Sequence, residues 1–295
     1  MKSLETYASE LQSFLQKPAG LVKQDSTYPK LSIITPSFNQ GKYLERTILS
    51  VLNQQYPNLE YIIIDGGSTD ESLDVIKKYE KYLAYWVSEP DKGQVDALNK
   101  GFIKATGDWI GFQNSDDVYF PGTFDRFGIE ARRSANVDLL YGDLFMITPD
   151  DRVTELLKTL PYSLTCQLIE GMQIHNQSLF FKKSLLDQYG SFDPEYRFAF
   201  DYEFITRFTT QSGVRAKRIN GLAGALRIHD EAKSSTIAQI GRQEHEQIQI
   251  AFGKYNTSFL PEKMQYLYCR LRKLAYLFGQ NDWNYIAHRK SLRKT

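Results

Sequence analysis

The chain has 295 residues, a formal net charge of +1, 42% hydrophobic and 24% charged residues. This is the composition of a globular protein with one large domain and extensions, or two modest domains. No run of about 18 apolar residues occurs, and the opening "MKSLETYASELQSFL" lacks the apolar core of a signal peptide, so a soluble, cytoplasmic chain is expected.

In chain order, residues 1–28 predict an amphipathic helix and a linker. "LSIITPSF" (31–38) reads as a buried strand that stops at Pro36, followed by "GKYLERTILSVLNQQY" with Tyr43, Leu44, Ile48, Val51 and Leu52 at helical spacing. "YIIID" (61–65) is a second strand bounded by "GGSTD", whose Ser-Thr-Asp caps the helix "ESLDVIKKYEKYL". "AYWVSE", "GQVDALNKGFIKATG" and "WIGFQ" continue as strand, helix and strand. This alternation predicts a parallel sheet with helices on both faces. After Asp117 the pattern weakens: a helix over 121–134, strands over 137–148 and 152–158, and a strand running into a helix at "QSLFFKKSLL". "FDYEFITRFT" then reads as a helix, "KRINGLAGALRIH" as a strand, and the chain from about 237 as mostly helical. Cys166 and Cys269 are too few and too isolated for a disulfide framework or a zinc site.

Charge is unevenly spread. Residues 262–295 hold eight Lys/Arg against two acidic residues, a net of +6, which leaves 28 basic and 33 acidic residues before them. Such a tail is either a solvated helix packed on the body or a peripheral contact with an anionic membrane surface. Nucleic-acid binding is disfavoured by the acidic body and the absence of a known module.

Open parallel sheets bind ligands beyond the carboxyl ends of their strands. The four strand ends here are Pro36–Asn39, Asp65–Asp70, Glu89–Gln94 and Asn114–Asp117, all polar or turn-forming. There is no G-x-x-x-x-G-K-[ST] and no G-x-G-x-x-G after the first strand, so a bound nucleotide needs another counter-charge. A Mg²⁺ or Mn²⁺ ion held by carboxylates is the natural one, and Asp116 and Asp117 suit that task. The plain alternative for the pair is an Asx-type turn. Asp65 is either a turn residue or an acceptor for a base N–H or ribose hydroxyl, and Asp91 and Lys92 are either an exposed turn pair or a nucleotide contact.

"LSIITPSFNQGKYLERTILSVLNQQYPNLEYIIIDGGSTDES" and "SEPDKGQVDALNKGFIKATGDWIGFQNSDDVYFPGTF" together resemble the inverting family-2 glycosyltransferases of the GT-A fold. The likeness extends more loosely through "FDPEYRFAFDYEFITRF" and "RIHDEAKS", covering roughly residues 31–235, and is nearest to bacterial enzymes of O-antigen and exopolysaccharide assembly. It implies a Rossmann-like mixed α/β sheet with helices on both faces over 29–235, divided into a nucleotide-binding half (29–118) and an acceptor half (119–235). A helical basic extension (236–295) would follow. It implies that Thr35, Pro36 and Asn39 line the base pocket, that Asp65, Asp91 and Lys92 contact base or ribose, and that Asn114, Ser115, Asp116 and Asp117 form the acidic motif for ribose and metal. Asn114 departs from the family, standing where many relatives have the first Asp of an Asp-x-Asp.

The implied reaction moves one sugar from a nucleotide-sugar donor, a UDP-sugar by preference, to a glycan or polyprenyl-linked acceptor. A cation stabilises the departing diphosphate, a base takes the acceptor's proton, and a single displacement inverts the anomeric carbon. Asp201 is the expected base. Glu203, two positions on, points to another helix face and is assigned with His175 and Gln177 to the acceptor or sugar pocket. His229 is expected to complete the metal shell. Two rival readings are a sugar-phosphate nucleotidyltransferase, which "TPSFNQGKY" does not suit because it lacks a Gly-rich basic loop, and a non-catalytic carbohydrate-binding scaffold, which only Asn114 favours.

Overall fold

The computed structural model describes residues 2–16, 20, 22–254, 261–283 and 285–286. The basic stretch "HRKSLRKT" lies outside them. The first half alternates as α1 (Leu4–Phe14), β1 (Leu31–Ser37), α2 (Gly41–Leu52), β2 (Leu59–Asp65), α3 (Ser72–Tyr79), β3 (Tyr85–Ser88), α4 (Gln94–Lys104) and β4 (Trp109–Phe112). The second half runs β5 (Val118–Tyr119), α5 (Thr123–Arg133), β6 (Leu139–Ile147), β7 (Val153–Leu157), α6 (Leu164–Glu170), β8 (Phe180–Lys182), α7 (Ser184–Tyr189) and α8 (Phe200–Thr209). It closes with β9 (Ala216–Arg227), α9 (Lys233–Thr236), α10 (Ala238–Ala251) and α11 (Glu262–Gly279).

One sheet carries all nine strands in the order β3-β2-β1-β4-β8-β6-β9-β5, with β7 paired to β6. Strands β1 to β4 are mutually parallel, whereas β8 runs antiparallel to both β4 and β6. The sheet is therefore mixed, as the resemblance implies. Its strands read as unbroken apolar runs because both faces are covered. Leu31, Ile33, Tyr61, Ile63 and Trp109 face a layer built with α2, α3 and α5. Ile34, Ile62, Ile64, Ile110 and Phe112 face the opposite layer, with α4, α7 and α8. That split is the period-2 alternation of a strand.

Short elements such as β5, α6 and α9 were not legible in the sequence. Strand β5 has only two residues, held antiparallel to β9, and α6 is a single short helix capped by Ser163. At the N-terminus, Leu11 and Leu15 belong to the first core layer and the Tyr7 ring packs on Phe120 and Phe145, so α1 is built into the body. At the other end Ile248 of α10 packs with Ala199 and Tyr202 at the start of α8. The two cysteines, remote in sequence, meet between α6 and α11, and their sulfurs and the Glu170 carboxylate lie within 4.8 Å of one another. The isolation inferred from their spacing is thus corrected. Burial raises the Cys269 thiol above its ordinary range.

Strand β9 passes so close to the turn Asn176–Ser178 that only glycine fits at 224: a Cβ there would stand 1.8 Å from the Gln177 carbonyl oxygen. Gly224→Ala is expected to destabilise the fold by about 3 kcal/mol or more, because backbone must move. A denaturant midpoint within error of the wild type would contradict this close approach.

Candidate active site

The carboxyl ends of β1 to β4 lie side by side, and polar groups link them. Asn39, left-handed at φ 51°, takes an N–H bond from Thr69 on its Oδ1 (2.8 Å) and donates its own N–H to Ser68 Oγ (2.8 Å). Asp65 is fully buried and accepts from the N–H groups of Gly67 and Ser68 and the hydroxyls of Ser68 and Ser88. Its carboxylate, expected to contact base or ribose, organises the "GGS" turn in this structure. Thr35 is also fully buried, its Oγ1 3.1 Å from the Tyr61 hydroxyl, and Pro36 is buried beside it; neither side chain lines the crevice. Asp91 accepts from the Gly93 N–H at 2.7 Å and so shapes the turn into α4, while the Lys92 side chain is exposed.

The acidic turn separates its two aspartates. Asp117 is 1% exposed and accepts from the Asn114 amide (3.1 Å), the Gln177 amide (2.9 Å) and the Arg227 backbone N–H (2.9 Å). Burial, and secondarily the adjacent Asp116 carboxylate, push its acidity well below that of an ordinary carboxyl group. Asp117, expected as a metal ligand, is thereby anchored internally in this structure, and the Gln177 amide, expected in the sugar pocket, donates to it. Asp116 faces outward, its side chain 18% exposed, with Oδ2 3.0 Å from His229 Nε2. Ser115, between them and Asn114, is buried.

Asn114 shows why an amide stands at this position. Its Oδ1 accepts from Gln94 Nε2 at 2.6 Å while its Nδ2 donates to Asp117 at 3.1 Å. A carboxylate could do only the first and would repel Asp117. The network continues outward, since Gln94 Oε1 accepts from Lys233 Nζ at 2.7 Å. Lys233 is held within electrostatic reach of both Asp116 and Asp201.

Asp201 stands in the first turn of α8, where its Oδ1 accepts from the Tyr202 N–H at 2.8 Å, and burial pushes its carboxyl up to about 6. Sequence reading missed the group that fixes this helix start. Glu244 of α10, 7% exposed, accepts from the N–H groups of Arg197, Phe198 and Ala199 at 2.8, 2.8 and 2.7 Å. A carboxylate at a helix N-terminus satisfies donors that otherwise have no partner. Glu203, expected in the acceptor or sugar pocket, turns away from Asp201 as its spacing implies and forms a bidentate pair with Arg207 at 2.7 and 3.1 Å. His175 is partly buried, and burial lowers it to about 4, so it is neutral at physiological pH.

Asp116 and His229 fit a divalent cation. Two donors on neighbouring positions of an octahedral ion with bonds of about 2.1 Å stand about 3 Å apart, which matches their separation. His229 Nδ1 is buried and has no hydrogen-bond partner among the described residues, as are Ser37 Oγ and both amide atoms of Gln113 at the neighbouring strand ends.

The chain matches the model of glycosyl transferase family 2 over residues 32–185, just over half its length, and belongs to that family. It is 36% identical over 182 residues to an uncharacterized glycosyltransferase of Mycobacterium tuberculosis, a match covering 61% of this chain and 68% of that one. Among solved structures it resembles Staphylococcus aureus TarS 1–349 in complex with UDP-GlcNAc, with a TM-score of 0.59, 18% identity, and coverage of 80% of this chain and 69% of that one. It spans 41% of the longer TarS chain. It also resembles the mannosyltransferase PcManGT of Pyrobaculum calidifontis in complex with GDP-Man and Mn²⁺, with a TM-score of 0.53, 16% identity and 95% coverage of both chains. These likenesses establish the GT-A-like fold.

Replacing Asn114 with Asp tests the network. The variant loses the donor to Asp117 and gains a like charge, so it is expected to be less stable by about 1–3 kcal/mol near neutral pH, with the loss shrinking in acid. Unchanged urea midpoints at both pH values would show that the amide is not needed there.

Proposed function

We propose that this glycosyltransferase moves one sugar from a nucleotide-sugar donor to a glycan or polyprenyl-linked acceptor with inversion, working at the cytoplasmic face of a membrane. The supporting observation is the pairing of a cation-type donor set, Asp116 and His229, with a burial-shifted carboxyl, Asp201, around one lysine, Lys233. The neighbouring folds captured with UDP-GlcNAc and with GDP-Man and Mn²⁺ are consistent with such a donor, and a UDP-sugar is the preferred form.

In this reading Asp116 and His229 hold Mg²⁺ or Mn²⁺, which when bound stabilises negative charge developing on the departing diphosphate. Asn39 and the exposed Asp91–Lys92 turn border the base and ribose, and Phe38, 59% exposed at the end of β1, offers an aromatic face for stacking. Lys233 adds positive charge on the leaving-group side. Asp201 accepts the acceptor hydroxyl's proton as the new glycosidic bond forms. Its raised acidity constant near neutrality suits a base that must be ionised yet reactive. Asp65, Asp117, Gln177 and Glu244 shape the site without touching reactants. Asn114 no longer favours a non-catalytic scaffold, because its amide has a structural task.

Calorimetry of nucleoside diphosphate with Mn²⁺ separates the two aspartates. Asp116→Asn is expected to weaken metal-dependent binding at least about tenfold, whereas Asp117→Asn should retain it in whatever fraction stays folded. Equal metal dependence in Asp116→Asn and wild type would remove Asp116 from the metal site.

Asp201→Asn is expected to cut transfer by about 10²–10⁴ with little change in donor affinity. Wild-type transfer should rise with pH through about 6 as Asp201 ionises. The stability effect has the opposite sign. A carboxyl raised from 3.8 contributes stability that is full below that value and is lost as pH rises through about 6. At roughly pH 8 the Asn variant, free of a buried charge, should be at least as stable as wild type, by up to about 1–2 kcal/mol. An active variant, or one inactive only because its Tm collapses, would reject Asp201 as the base.

A further inference from the structure

We infer that the outer face of α11 is a docking surface for an anionic lipid bilayer. Eight of the thirteen exposed large hydrophobic residues among those described lie between 264 and 283. Within α11, Met264, Leu267, Leu271, Leu274 and Phe278 are each 40–56% exposed and recur at intervals of three and four. At about 100° per residue they form one stripe about 80° wide, which Tyr268 broadens to about 120°.

The stripe is not the by-product of a loose helix. The opposite face is docked: Gln265, Cys269 and Leu277 are buried, and Arg272 donates to the carbonyls of Pro161 and Tyr162 at 2.7 and 3.2 Å. Monomeric proteins rarely expose a continuous apolar patch of this kind without a partner.

Charge selects the partner. The helix carries Lys263, Arg270, Arg272 and Lys273 against Glu262 alone, and Glu262 is paired with Lys254 at 3.4 Å. On the helical wheel Lys263 and Arg270 border one side of the stripe, whereas Arg272, on the other side, is committed to the carbonyls of Pro161 and Tyr162. A second copy packed on this seam would oppose basic flanks with basic flanks. Anionic head groups complement them, and the long stems let the charges reach the head groups while the stripe enters the acyl boundary. Trp283, 60% exposed and packed on Phe278 with ring centroids 4.8 Å apart, is the aromatic type favoured at that level. Among the described residues no helix is long and apolar enough to cross a membrane, so α11 would lie in the surface.

The inference deepens the reading of a lipid-borne acceptor. α11 rests on α6, whose Gln167 bonds Thr206 and Tyr202 of α8, the helix that carries Asp201. These contacts tie the membrane-facing helix, through α6, to the helix that carries Asp201.

The test is flotation of the full chain with vesicles of phosphatidylcholine alone or with about one-quarter phosphatidylglycerol. Wild type is expected to bind the anionic vesicles and to be largely released by salt. Leu267→Asp/Leu271→Asp should lower vesicle partitioning at least about tenfold with unchanged Tm and donor hydrolysis. Lys263→Gln/Arg270→Gln should remove the preference for anionic lipid. No binding to either vesicle, or equal binding by the Leu double variant, would overturn the inference. A concentration-dependent dimer that the same double variant makes monomeric, without vesicle binding, would assign the face to a second copy. Because vesicle binding needs no turnover, its failure is distinguishable from failure of the proposed chemistry.

Discussion

A single buried cation organises this site. Arg227, at the end of β9, is 0% exposed. Burying a guanidinium costs several kcal/mol unless its donors are met. Its Nε bonds the Asp116 carbonyl and Nη1 the carbonyls of Thr148 and Pro149, while Nη2 is compensated by charge alone, 2.7 Å from Asp151 Oδ1 without hydrogen-bond alignment. Asp151 also pairs with Arg46 of α2, and the Tyr43 ring lies 5.0 Å from the guanidinium centre and 4.8 Å from the His229 ring. Those demands tie the acidic turn, the β6–β7 loop and α2 to one point. Two residues further on, His229 reaches Asp116 because Arg227 has already been fixed against that turn.

The same constraint separates two adjacent carboxylates. The Arg227 backbone N–H, with the amides of Asn114 and Gln177, draws Asp117 inward, which leaves Asp116 at the surface. Neutral donors surround the buried one, and a titratable ring faces the exposed one. Adjacent groups thereby acquire different chemistry from their environments. Gly224 belongs to this arrangement, since its missing side chain lets β9 approach the turn that carries Gln177.

The C-terminal helices serve the catalytic body. Glu244 of α10 satisfies three N–H groups at the start of α8, and so holds Asp201 from a segment outside the part matched by the family model. α11 extends the structure through α6 and presents its apolar stripe on the far side.

The amino-acid pattern alone determined the alternating first half and the level at which strand ends collect polar residues. Those features follow from short-range periodicity: a strand covered on both faces must be apolar throughout, and its end must turn. It also singled out Asp116, Asp201 and His229 as candidates, which the proposed function takes up. Tertiary structure alone decided that Asp117, Gln177 and Asp65 are internal, that Thr35 faces Tyr61, that Glu203 belongs to Arg207, and that Glu244 anchors the start of the helix carrying Asp201. Composition showed that the tail is basic, but only the docked helix revealed which face is apolar and outward. The reason is physical. Side-chain direction in a turn, and the partner that satisfies a buried donor, are set by residues tens to a hundred positions away, which local spacing does not encode.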